Sequence, residues 1–320
     1  MAGIWNRVLE VNLTTGEVGE FSPGEEIYRD YIGGSGVAAR LLYDRLDPAA
    51  PPLDASSPLI FMTGPLTCSN FFGSMTRYIV VGRSPLTGLY CEASCGGTFD
   101  NAFKKCGYDG IVVTGAVEKP VYLEIGDDSC EIKDASNLWG GDTYETTSAL
   151  ESSFEGSGKP SVVTIGPAGE NLVSYANIMN GPSNYAGRGG LGAVMGSKKL
   201  KAIVARGSRK PEFADPDAMS ELRRDMKDRI ESSIATQSMW AFGTAGAVDL
   251  SSMSGDLPIK NWSLGEWDKG VDKINGPTMT DTILTSTHSC MGCPVGCKRV
   301  VKVEEEPYAM GENAGPEYET

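Results

Sequence analysis

The residues with the clearest chemical purpose are three cysteines. They lie in the run His288-Ser289-Cys290-Met291-Gly292-Cys293-Pro294-Val295-Gly296-Cys297, a C-x2-C-x3-C. Thiolates bind soft iron strongly, and a loop this short can aim three sulfurs at three corners of one cubane, so the spacing points to a [4Fe–4S] cluster on Cys290, Cys293 and Cys297. Glycines in the loop let backbone amides approach the sulfides, and Pro294 and Gly296 hold its shape. Zinc is the rival, but zinc sites usually assemble two pairs of ligands, and no second C-x2-C or H-x3-H occurs. His288 is the only histidine in the chain. Two residues before Cys290, it is awkwardly placed to close a tetrahedron from the same turn. Unrelated thiols that merely lie close are a third reading, and they fit poorly in a Gly/Pro loop because structural cysteines are usually buried singly within elements. The fourth cluster ligand is expected beyond Thr320, with Cys95 and Cys106 as internal candidates.

Two glycine-rich segments carry a second kind of chemistry. Gly187-Arg188-Gly189-Gly190-Leu191-Gly192 has G-x-G-x-x-G spacing. A dinucleotide fingerprint also needs a long following helix and an acidic residue about 20 positions on, whereas here the helix expected over Ala193–Leu200 is short and the nearest acid is Glu212. What remains is a run of amides and a helix start able to face an anion, with Arg188 to pair with it. A surface turn is the alternative reading. Ser94-Cys95-Gly96-Gly97, before a helix at Phe99, has the same amide-presenting character. Arg77, at the head of a strand, could be a buried pairing cation.

The elements that must position these residues read as α+β. Arg7–Leu13 and Glu17–Phe21 around Thr-Thr-Gly form a hairpin signal, as do Val121–Ile125 and Cys130–Ile132 around Gly126-Asp127-Asp128. Leu59–Thr63, Tyr78–Val81, Ile111–Thr114 and Val162–Ile165 are short β-branched runs. Helical periodicity covers Tyr31–Leu46, Phe99–Lys105 and Tyr144–Phe154. A polar, proline-bearing connector at Ser208–Asp215 sets a boundary near 210. Residues 1–210 are therefore expected to form a β-rich domain of mainly antiparallel sheet. Residues 211–320 begin a helical, loop-rich domain, opening with Asp215-Pro216 at a helix start and carrying the cysteine loop.

Composition narrows the class of partner. The chain has 28 basic and 42 acidic residues, a net charge of −14, which argues against nucleic acid, whose phosphates require a concentrated basic face. No signal peptide and no apolar run long enough to span a membrane are apparent. Eight cysteines without an export signal suggest thiols in a reducing cytoplasm rather than a disulfide framework.

The sequence also resembles the tungsten-containing aldehyde ferredoxin oxidoreductase family along its whole length. The resemblance is carried by Trp5-Asn6-Arg7, Val11-Asn12-Leu13-Thr14-Thr15-Gly16, Thr63-Gly64-Pro65-Leu66-Thr67, Arg77-Tyr78, Ser84-Pro85-Leu86-Thr87-Gly88 and Gly107-Tyr108-Asp109. It continues through Lys119-Pro120-Val121-Tyr122, Ile165-Gly166-Pro167-Ala168-Gly169-Glu170-Asn171, Ala186 to Gly196, the three cysteines, and Gly315-Pro316-Glu317-Tyr318-Glu319. Members of that family are roughly twice this length, so an N-terminal half is expected. The resemblance implies a β-rich base carrying a tungsten (or molybdenum) bis-pterin. It places Arg77 between cluster and pterin, and Arg188 with Gly187, Gly189 and Gly190 along the pterin phosphates. Ser94, and Tyr185 through its carbonyl, would serve a Mg2+ bridging the phosphates, and Cys95, Gly96 and Gly97 are cofactor-binding positions of the amide-presenting loop that Ser94 opens. Glu319 would stand beside the metal as acid–base residue. Ser94-Cys95 and Asn184-Tyr185 depart from the Asn-Ser and Arg-Ala pairs common at these places.

The implied reaction is oxidation of an aldehyde to a carboxylic acid in an anaerobic, cytoplasmic, oligomeric enzyme, with electrons passing through the cluster to ferredoxin or an Fe–S electron-transfer subunit. Two alternatives differ in kind. One is a related tungsten enzyme reducing an aromatic acyl-CoA ring, which is expected to lack the Gly-Pro-Glu-Tyr-Glu segment. The other is a non-catalytic Fe–S subunit without pterin.

Overall fold

The computed structural model describes all residues except 70, 72–76, 155–157, 291 and 317–320. The chain divides into two compact units, one of Met1–Asn70 and Met75–Asp215, the other of Phe71–Ser74 and Pro216–Thr320.

In the first unit, β1 (Val8–Asn12), β2 (Glu17–Phe21), β3 (Leu59–Met62), β4 (Tyr78–Arg83), β5 (Tyr90–Cys95) and β6 (Gly110–Thr114) form a sheet in the order β2-β1-β6-β3-β4-β5. A second sheet, β11-β10-β9-β12-β7-β8, is built from β7 (Val121–Gly126), β8 (Ser129–Asp134), β9 (Ser161–Thr164), β10 (Ile178–Asn180), β11 (Asn184–Ala186) and β12 (Leu200–Ala205). Most pairings are antiparallel, as expected, but β1 with β6 and β7 with β12 run parallel, so both sheets are mixed.

Alternation along the strands explains how the layers stack. Leu9, Val11, Leu59, Phe61, Val80, Ile111 and Val113 of the first sheet share one core with Leu123, Ile125, Val163, Ile178, Ile203 and Ala205 of the second. Helices α3 (Phe99–Lys104) and α6 (Leu191–Ser197) add Phe99, Phe103, Leu191, Val194 and Met195 to that core. Their neighbours in sequence, Val8, Ile60, Met62, Val81 and Val112, face the other way and pack under α1 (Glu25–Tyr31) and α2 (Gly34–Arg45). Val162, Ala202 and Val204 likewise meet Leu150 of α4 (Thr143–Ser153), beyond which lies α5 (Pro167–Glu170). Strands buried on both faces read as continuous apolar runs, the pattern that made them visible in the sequence.

The helix expected over Tyr31–Leu46 is α2, which starts only at Gly34 and is separated from the unanticipated α1 by a break. Ile32 and Gly33 have φ of 66° and 155°, which no α-helix accommodates.

Two of the sequence motifs meet in a buried polar lock. Asp109 takes the ammonium of Lys104, the Trp5 and Asn6 amides (3.0 and 2.7 Å) and the Tyr28 hydroxyl (3.0 Å). Glu170 does similar work, pairing with buried Lys201 at 2.5 Å and accepting from the Gly140 amide. Buried ions this well bonded hold register between distant segments.

The second unit contains α7 (Pro216–Ser232), α8 (Ile234–Phe242), α9 (Val248–Ser254), α10 (Asp268–Ile274) and α11 (Gly276–Thr282). It also contains a sheet that the helical expectation missed: β13 (Leu284–His288), β14 (Lys298–Val303) and β15 (Met310–Ala314), all antiparallel. Its cores are small, one around Ala245, Met279 and Val301 and another around Val248, Leu257 and Val271. No described helix is long and apolar enough to cross a membrane.

Candidate functional site

The first unit brings its expected site residues to one seam. β5 and β11 are edge strands of different sheets, and they pack against each other. Ser94 is exposed near the end of β5, with Arg77 Nη1 3.5 Å from its hydroxyl. Gly96 and Gly97 follow. On the other side, Tyr185 lies in β11 opposite Met179, and the Gly187–Gly190 loop leads into α6.

The glycines are dictated by close approach. Gly189 (φ +77°) crosses directly over Cys91, whose sulfur occupies the space a Cβ would need, and a Cβ on Gly190 (φ +72°) would collide with the Ser174 carbonyl. The amides of Gly96, Gly97, Arg188, Gly189, Gly190 and Leu191 have no hydrogen-bond partner among the described residues. Arg188 is exposed and forms no ion pair among them. Unsatisfied amides beside a guanidinium are a donor set suited to phosphate. The Tyr185 phenol, on an exposed residue, is pushed up to about 12 by what desolvation it has and by the Tyr144 hydroxyl.

Three expectations are corrected here. The start of α3 does not face an anion: buried Asn180 accepts from the Thr98 and Phe99 amides (3.0 and 3.1 Å) while donating to Val162 O at 2.8 Å. Cys95 turns inward, fully buried, with its thiol against the Tyr78 hydroxyl, so its side chain belongs to the core rather than to a ligand. Nor is Cys95 or Cys106 prepared to be a fourth cluster thiolate. Cys106 is fully buried, lies within hydrogen-bonding distance of Ala102 O and Ile125 O (3.3 and 3.4 Å), and burial pushes its thiol up to about 12.

In the second unit the cysteines occupy the loop of the β13–β14 hairpin, closed by the His288–Lys298 pair. All three are partly buried and none is in a disulfide. Gly292 and Gly296, at φ +67° and +60°, turn the loop, and the Cys293 amide donates to Cys290 O at 3.0 Å. Among the described residues no three thiol, imidazole or carboxylate groups converge on a single-ion site. A cubane instead takes its thiolates at separate corners, which suits three sulfurs spread along one loop. His288 is exposed at the end of β13. Glu319 lies outside the described residues.

Arg299 was not anticipated. It is 1% exposed on β14, on the same face as buried Val301. Its Nη1 donates to Trp240 O and Ala241 O at the end of α8 (3.1 and 3.0 Å), and its Nη2 to Gly296 O in the cysteine loop (2.6 Å). Burial lowers its pKa, and nearby Cys297 opposes that shift. A charged residue at an inward position of the strand after the cysteines was the available signal.

A family model for the aldehyde ferredoxin oxidoreductase N-terminal domain matches residues 8–207, and one for domains 2 and 3 of the same enzyme matches 221–320. The chain belongs to the aldehyde ferredoxin oxidoreductase family. It is 41% identical to the tungsten-containing aldehyde ferredoxin oxidoreductase of Thermococcus kodakarensis over 100% of its own length and 52% of the relative's. Against a Pyrococcus furiosus protein described as an aliphatic sulfonate oxidoreductase, WOR-like subunit, identity is 31% over 98% of this chain and 52% of that protein. Among solved structures it resembles the BamBC active-site complex of benzoyl coenzyme A reductase with 1,5-dienoyl-CoA, at TM-score 0.80 and 28% identity, over 98% of this chain and 49% of that one. This member of the family thus spans about half the length of the curated relatives it matches.

Proposed function

We propose that this chain provides the pterin base and the cluster loop of a tungsten enzyme that oxidises aldehydes to carboxylic acids and passes electrons to ferredoxin. The observation that carries the reading is the C-x2-C-x3-C whose three thiols, none in a disulfide, share one hairpin loop, in a chain similar along its whole length to tungsten-containing aldehyde ferredoxin oxidoreductases. When bound, the tungsten pterin supplies the two-electron chemistry.

Cys290, Cys293 and Cys297 hold three irons of a [4Fe–4S] cluster. Arg188 and the amides of Gly96, Gly97, Gly189 and Gly190 meet the pterin phosphates. The Ser94 hydroxyl and the Tyr185 carbonyl serve a Mg2+ between those phosphates. Arg77, beside Ser94, adds positive charge to the same surface. Glu319 takes the proton released as water adds to the aldehyde carbon, which requires a desolvated carboxylate within one hydrogen bond of that oxygen. Molybdenum could replace tungsten on the same residues. A cytoplasmic oligomer is the expected setting.

Reduction of an aromatic acyl-CoA ring is the second reading, favoured by the likeness to the benzoyl coenzyme A reductase complex. Anaerobically purified full-length protein decides between them. Tungsten, iron and aldehyde-dependent dye reduction support the first reading, and turnover of benzoyl-CoA without aldehyde oxidation supports the second. Iron without tungsten or organic phosphate would leave an electron-transfer subunit. Within the first reading, Glu319→Gln should lower kcat by about 10²–10⁴ with metals retained.

A further inference from the structure

The Arg299 guanidinium is buried with only neutral partners. Three carbonyls accept from it, Nε has no partner, and no carboxylate pairs with it among the described residues. A buried cation without an anion is costly, and structures normally compensate it. Two residues away, the Cys297 backbone carbonyl faces Gly243 beside the Arg299 side chain: a Cβ on Gly243 (φ +63°) would lie 2.6 Å from Cys297 O and 3.3 Å from Arg299 Cγ. The carbonyls it binds sit on two elements, the end of α8 and the cysteine loop. One planar fork therefore ties the loop to a helix end.

We propose that Arg299 is a positioning residue for the iron–sulfur cluster: its fork anchors the Gly296 turn, and its charge is the buried counter-charge to the thiolate-bound cluster. This rests on the cluster reading given above. A cubane held by thiolates carries net negative charge that grows by one on reduction. A fixed cation beside it therefore favours the reduced form and raises the reduction potential. Lysine keeps the charge and loses the fork, whereas glutamine keeps donors and loses the charge.

The test uses full-length protein purified anaerobically as wild type, R299K and R299Q, with iron content and a redox titration followed by EPR. Wild-type protein without iron would sink the cluster reading itself and not this assignment alone. With iron present in the wild type, R299Q should show a midpoint potential more negative than both wild type and R299K. If R299Q no longer loads iron, R299K should still do so. Equal iron content and equal potentials in R299K and R299Q, or equal loss of iron from both, would show that the charge does nothing for the cluster and overturn the proposal.

Discussion

The glycine loops and the cysteine loop are held in opposite ways. The glycine loops hang from edge strands of two sheets buried on both faces, and their shape is fixed by backbone contacts such as Gly189 over Cys91 and Gly190 against Ser174. The cysteine loop hangs from a hairpin whose first strand is largely exposed, above a core of a few residues. Much of its fixed geometry comes from one arginine. A site that must present bare amides can be shaped by packing alone. A site built around a charged inorganic cluster needs compensating charge, and a small core can supply that through a single buried residue.

The largest effect should come from breaking the cysteine loop. Cys293→Ala should abolish iron binding in the full-length protein, whereas Cys130→Ala should leave iron content unchanged, because burial pushes the Cys130 thiol up to about 12 and holds it neutral. Iron analysis of the two variants checks this, and equal iron in both would remove the distinction between the sites. On the glycine side, Asn180→Ala should cost about 3 kcal/mol, since it leaves the buried Phe99 amide and the part-buried Thr98 amide without their acceptor. Chemical denaturation measures it, and a loss below about 1 kcal/mol would show the seam to be less dependent on that cap.

A pH test comes next in size. Burial raises the Asp100 carboxyl from 3.8 to about 6. A raised acid contributes stability that is complete below its unfolded pKa and lost as pH climbs through the folded one. Wild-type stability should therefore fall by up to about 3 kcal/mol between pH 4 and 6. Asp100→Asn should flatten that slope in urea titrations, and an unchanged slope would assign it to other groups. The smallest effect belongs to Arg188→Ala, which should weaken retention of organic phosphate about tenfold, as expected for one exposed charge-assisted contact. Unchanged phosphate and tungsten content would return Arg188 to the surface-turn reading.

What could be read in the sequence depended on how local the cause was. Strands β3, β4, β6 and β9 stood out because burial on both faces leaves short, nearly continuous apolar runs. β5 did not, since Glu92 and Ser94 alternate with Ala93 and Cys95 and nothing in it is β-branched. β12 hid behind Lys201, whose burial makes sense only with Glu170 in place. β13 was missed because Thr285, Ser286, Thr287 and His288 are exposed. The C-x2-C-x3-C loop stood out by its spacing alone. Asn180 and Arg299 were not, because their partners at Thr98 and Trp240 are distant in sequence.

The parallel pairings also set an order of events during synthesis. Val8 finds Phe21 within its own hairpin, but its parallel partner Gly110 is made about a hundred residues later, and Val121, already opposite Asp134, must wait for Leu200, whose strand lies inside the second sheet between β9 and β7. Contacts so distant along the chain form slowly, because the intervening loop must close before they are rewarded. At translation rates of about 5–20 residues per second, the first strand waits seconds beside the ribosome. The second sheet is therefore incomplete until β12 has emerged and inserted between β9 and β7. The Gly187–Gly190 loop at its edge thus hangs from a sheet that is completed only by the last strand of the first unit.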